Sequence, residues 1–231
     1  MNIYTKAAVL AVAAIGSILA VPAAAQSPAL FKTVEYRTSD LDALPKWKAV
    51  MQKIAKEQKS YADCAGGERG CGSKAIRAWQ AMIRDQQGNS QIDQLKTVTR
   101  FVNQWRYRTD QYNYDQSDYW ASPAEFFSRS GDCEDYAITK YVTLRQMGFA
   151  ADQLRIAVVK DVIRDLAHAV LAVYTDDGVF ILDNVNSEVR PQAQVTEYAP
   201  YYSVNEQARW AHAATSARIA PAAAASLFSK R

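Results

Sequence analysis

Histidine is nearly missing from this chain: 231 residues contain two, His168 and His212, and cysteine is scarcely commoner, at three. That scarcity argues against a zinc centre built from several His and Cys ligands, and it leaves two imidazoles at most for proton transfer at neutral pH. A dominant charge sign is missing as well. Lys and Arg number 27 against 24 Asp and Glu, scattered among one another for a formal net charge of +3, which argues against a nucleic-acid-binding face. Beyond residue 26 there is no apolar run long enough to span a bilayer.

What the first residues do contain is one lysine, Lys6, an apolar stretch over 7–21, and Pro22-Ala23-Ala24-Ala25 before Gln26. This is the pattern of a secretory signal peptide over residues 1–25, since the apolar stretch is short for a retained anchor and small residues follow it at once. The remainder reads as one exported domain over 26–210, followed by an Ala-rich, loosely ordered tail over 211–231. Export makes disulfides expected. Cys64 and Cys71 flank a glycine-rich loop and are favoured as a pair over two free thiols or half a metal site, which leaves Cys133 unpaired.

Apolar spacing predicts helices first. Trp47, Val50, Met51 and Ile54 follow i, i+3, i+4, i+7, and Ser73 is placed to cap a helix facing inward through Ile76, Trp79, Met82 and Ile83. Ser90-Gln91-Ile92-Asp93 resembles a capping box ahead of Leu95, Val98, Phe101, Val102 and Trp105. An aromatic, Asp-dotted loop over 107–121 follows, either surface packing or a cleft wall, and then Ser122-Pro123-Ala124-Glu125 opens a short helix. A longer helix is expected over 133–147, stopped at Gly148. Residues 154–159, 169–174 and 179–182 read as strands, the last two joined by a hairpin at 175–178. Helices followed by strands make an α+β chain with an antiparallel sheet, and residues 26–40 read only as an extended lead-in.

The chemistry concentrates at Ser130-Gly131-Asp132-Cys133-Glu134-Asp135-Tyr136. A lone cysteine at a helix start is a candidate nucleophile, because the helix N-terminus stabilises a thiolate. Its base is His168, at the head of a strand, in preference to His212 in the Ala-rich segment. Asp183 is the candidate orienting partner, with Asn184 as the alternative. A turn over 175–178 sets Asp183 opposite Val170 and diagonal to His168, a spacing of about 7–8 Å that side chains bridge. A tight Asp177-Gly178 turn puts it opposite Ala172, out of reach. Asp132, Glu134 and Asp135 would oppose the thiolate unless a cation neutralises them. Beyond complementing the helix dipole, such clustered oxygen ligands suit calcium, with backbone carbonyls, Asp152 or Asp161 as further donors. The Cys133 backbone N–H is one oxyanion donor, and the Trp120 indole or Tyr119 is a candidate for the second.

The run from Gly131 to Tyr141, with Leu144, Gly148, His168-Ala169-Val170-Leu171 and Leu182-Asp183-Asn184, resembles the bacterial transglutaminase-like cysteine peptidases, as does the upstream segment from Asp118 to Phe126. The resemblance spans about residues 47–191. It implies a papain- or transglutaminase-like fold, a Cys133, His168 and Asp183 triad, and calcium held by Asp132 and Glu134 with Asp135 as a lesser ligand. It further implies a periplasmic endopeptidase that cuts a large surface adhesin near its N-terminus, releasing it and dispersing biofilm. An inner-membrane receptor sensing cyclic di-GMP would hold the enzyme inactive. An acyl- or amide-transfer enzyme and a non-catalytic binding module of the same fold are the alternatives.

Overall fold

The computed structural model describes residues 28–66, 71 and 73–214, so the signal-peptide reading and residues 215–231 of the tail lie outside the described residues. Helix α1 (Pro45–Ala65) starts with Pro at its first turn and buries Trp47, Val50, Ile54, Tyr61 and Cys64 along one stripe. The Cys64–Cys71 disulfide ties its end to the approach of α2 (Lys74–Asp85). Ser73 accepts the Ile76 N–H and Ser90 the Asp93 N–H, capping α2 and α3 (Gln91–Val102) as the sequence predicts. A short α4 (Asp110–Tyr114) interrupts the aromatic loop, and Ser122 and Glu125 form a full capping box on α5 (Pro123–Arg129). Helix α6 (Cys133–Gln146) is buried nearly all round, and Gly148 after it takes a φ of +100° that a side chain would disfavour.

Seven strands form one antiparallel sheet in the order β1-β7-β6-β2-β3-β4-β5. They are β1 (Val34–Thr38), β2 (Leu154–Asp161), β3 (Leu166–Thr175), β4 (Gly178–Leu182), β5 (Arg190–Pro191), β6 (Tyr198–Val204) and β7 (Arg209–Ala213). Alternation along the strands gives the sheet two apolar faces. Ile156, Leu171, Val173, Leu182 and Val204 join the helices in the larger core, while Ala157, Val159, Val170, Ala172, Ile181 and Tyr198 belong to a second cluster with Leu30.

Two expectations are corrected. The lead-in contains edge strand β1, and the tail does not begin at 211, because residues 209–213 form β7 paired with both β1 and β6. Alanine-rich composition hid a strand whose residues are all buried by pairing and packing. No helix among the described residues is long and apolar enough to cross a membrane.

The helical layer is knit by aromatic contacts. Trp79 is fully buried, with ring centroids 5.0 Å from Tyr61 and 5.2 Å from Phe127, and its indole donates to Thr143 Oγ1 at 2.8 Å. Trp79→Ala is therefore expected to lower the free energy of unfolding by about 3–5 kcal/mol. Urea denaturation checks this, and a loss below about 1 kcal/mol would contradict the burial.

Candidate active site

The site is built around the start of α6. Tyr107 pairs with Gly131 in a parallel bridge, and the Arg108 N–H donates to the Gly131 carbonyl at 2.9 Å. Asp135, fully buried, accepts the Asp132 N–H on Oδ2 at 3.3 Å and the Ala121 N–H on Oδ1 at 2.7 Å. A Cβ at Gly131 would stand 2.1 Å from Asp135 Oδ2, so only glycine allows this approach. Cys133 is thereby held as the first residue of α6, where its backbone N–H has no intrahelical acceptor.

Cys133 is the free thiol of the described residues. Burial pushes its pKa far up, and the charges of Glu134 and Asp132 add to that rise; Glu134 Oε2 lies 3.1 Å from the sulfur. The opposing influence is the backbone N–H of Ala169, the neighbour of His168 on β3. The hairpin register pairs Thr175 with Gly178 and Leu171 with Leu182, which sets Asp183 level with Val170. This is the register that lets the two side chains meet: His168 Nε2 and Asp183 Oδ1 are 2.8 Å apart, both buried. Burial opposes ionisation of Asp183, yet its bond to and charge interaction with His168, aided by Tyr198 and the Val185 N–H, hold it down to about 2. His212, the other imidazole, is bonded to Thr33 Oγ1 at 2.8 Å and Ser203 Oγ at 2.9 Å, and burial, reinforced by the charge of Arg155, lowers it to about 4.

The acids beside the thiol form a larger group than the sequence indicated. Asp110, Asp132 and Asp135 present oxygens within 4.8 Å of one another, as do Asp110, Asp118 and Glu134. Burial first, then mutual repulsion, raises Asp110 to about 6 and Asp132 to about 10, and Asp135 well above the carboxylate range. Oδ1 of Asp110 and Oδ1 of Asp132 are buried with no hydrogen-bond partner. Orphaned, mutually repelling hard oxygens are what a calcium ion fits.

Residues 54–217 match the sequence profile of the bacterial transglutaminase-like cysteine proteinases. The chain belongs to that family. In structure it is similar to LapG of Legionella pneumophila, at 35% identity and a TM-score of 0.57 over 68% of this chain and 87% of that one. It is also similar to calcium-bound LapG from the same organism, at 32% identity and a TM-score of 0.58 over 76% of this chain and 97% of that one. An EGTA-treated LapG gives the same identity and TM-score. No curated protein sequence matches the chain.

Of the residues read from the sequence, the proteinase fold brings His168 and Asp183 into contact and sets Cys133 beside Ala169. It clusters Asp132, Glu134 and Asp135 and adds Asp110 and Asp118, whose only sequence signal was a loop rich in Asp just upstream. Asp152 and Asp161 lie outside the clusters found among the described residues, and Asp161 is engaged by the N–H groups of Ile163 and Arg164 and by the Arg164 guanidinium. Neither suggested second oxyanion donor is free, since the Trp120 indole donates to Asp118 at 3.1 Å and the Tyr119 hydroxyl to Glu125 at 2.8 Å.

The raised carboxyls set a pH dependence for the metal-free proteinase. Asp110 and Asp132 rise from 3.8 to about 6 and about 10, so between those limits the folded chain holds protons that the unfolded chain has released. Stability therefore falls as pH rises through that window. Asp183, held near 2, contributes stability above pH 4 that is lost only on further acidification. In chelator, the melting temperature is expected to be lower at pH 8 than at pH 5.5; differential scanning calorimetry giving the reverse order would contradict the buried acid cluster.

Proposed function

We propose that this proteinase is a calcium-dependent periplasmic endopeptidase with Cys133 as nucleophile, His168 as base and Asp183 as orienting partner. In this reading it cleaves the N-terminal region of a large surface adhesin, releasing the adhesin and dispersing biofilm, and an inner-membrane cyclic di-GMP receptor restrains it. The observation that carries the reading is the buried 2.8 Å contact between His168 Nε2 and Asp183 Oδ1, with Ala169, the neighbour of His168, the one group near Cys133 that favours its thiolate.

Because Nε2 faces Asp183, Nδ1 is the ring nitrogen left for the thiol. The Cys133 thiolate attacks the scissile carbonyl, His168 passes the thiol proton to the leaving amine, and Asp183 holds the ring and balances the imidazolium. The Cys133 backbone N–H, unspent at the helix start, donates to the developing oxyanion. Water then hydrolyses the acyl-enzyme with His168 as base. Asp110, Asp118, Asp132 and Glu134, with Asp135, would hold calcium, which supplies positive charge against the carboxylates that oppose a thiolate. A calcium-bound form of the LapG relative supports the assignment.

The test is incubation with an N-terminal adhesin fragment. Wild type is expected to give two products, and Cys133→Ala to reduce the rate by at least about 10³-fold. Incorporation of a primary amine without cleavage would replace peptidase by acyl transfer, and full biological effect from Cys133→Ala would point to a binding module. Chelator or Asp132→Ala is expected to abolish cleavage, with calcium restoring it in the first case; undiminished cleavage in chelator would remove the metal from the reading.

A further inference from the structure

Asp183 divides its oxygens between two kinds of partner. Oδ1 faces His168 Nε2 at 2.8 Å and accepts the Val185 N–H at 3.0 Å, while Oδ2 accepts the hydroxyl of Tyr198. Tyr198 opens β6 and is paired with Asp161 of β2, so it reaches the pair from a strand that holds no member of it. Its ring centroid lies 5.5 Å from that of His168, tilted by 51°, and Phe31 packs edge-on with it at 6.4 Å. The side chain is buried, and burial followed by the bond to Asp183 pushes its own ionisation far up, so the hydroxyl remains a donor.

We propose that Tyr198 is a positioning residue for the reaction: its hydroxyl pins Oδ2 of Asp183 and so turns Oδ1 toward His168. The proposal rests on the triad reading above. The terminal torsion of an aspartate is soft, and a carboxylate anchored at one oxygen swings about it. Two anchored oxygens fix the plane, which fixes the imidazole in turn. Other charges face this carboxylate. Lys140 approaches from α6, fully buried and lowered to about 7 by that burial, Arg164 comes from the β2–β3 connection, and Glu197 adjoins Tyr198. None of these makes a direct hydrogen bond to Asp183 among the bonds described.

The experiment needs no substrate. Because Cys64 and Cys71 are paired, iodoacetamide alkylation followed by mass spectrometry reads Cys133 alone. In excess calcium chloride at pH 7, Tyr198→Phe is expected to slow alkylation about tenfold. In an Asp183→Asn background it is expected to add nothing, because Tyr198 acts through Asp183. The carboxyl midpoint of Asp183, followed by carbon-13 NMR, is expected to move up from about 2 in Tyr198→Phe, since a donor to its charged form is lost. Phe31→Ala, which loosens the same packing without touching the hydroxyl, is expected to leave the rate within about twofold. An unchanged rate and midpoint in Tyr198→Phe, equal slowing in the Asp183→Asn background, or equal slowing by Phe31→Ala would each overturn the proposal. If Asp183→Asn alone alkylates like wild type, it is the triad reading that fails.

Discussion

The carboxylate of Asp135 is fully buried and gives both oxygens to backbone N–H groups, one at Asp132 and one at Ala121. It thus binds the first turn of α6 to the segment entering α5, and Gly131 must lack a side chain for the carboxylate to fit. Cys133 sits between these anchors, so its position is set by backbone bonds rather than by its own contacts. The same carboxylate joins Asp110 and Asp132 in one acidic group. Placement of the Cys133 thiol and the clustering of acids are therefore consequences of a single buried side chain.

That arrangement sets two demands in opposition. A reactive thiol benefits from the helix N-terminus and from nearby positive charge, yet burial and the charges of Glu134 and Asp132 all hold Cys133 protonated. The helix end contributes roughly half a unit charge, which burial and the Glu134 carboxylate 3.1 Å from the sulfur outweigh. The divalent cation proposed above would offset that charge without displacing the backbone bonds that define the helix start. At Asp183 the balance is the reverse. Asp183 stays ionised despite burial because donors surround it.

Much of this was legible in the residues. Ser73, Ser90 and the Ser122–Glu125 pair marked their helices through capping chemistry that is local in sequence, and Cys133 and His168 stood out because so few residues of those types exist. The hairpin left two registers open, and only the pairing of Thr175 with Gly178 chose the one that serves Asp183. Edge strand β1 and Ala-rich β7 escaped because their strand character comes from pairing with each other across the chain, not from propensity. Asp110, Asp118 and Tyr198 matter only through long-range placement, which no local pattern encodes.

The sheet joins the beginning of the described chain to its end: β1 runs beside β7, and the Thr33 hydroxyl meets His212 across 179 residues of sequence. The β3–β4 hairpin that carries His168 and Asp183 is, by contrast, a local structure. Contacts of such separation form late, after shorter loops have closed. The hairpin can thus assemble early, while β1 waits for β7. Assembly of this sheet edge is thereby tied to near-complete synthesis of the chain, since β1 has no strand partner until β7 is made.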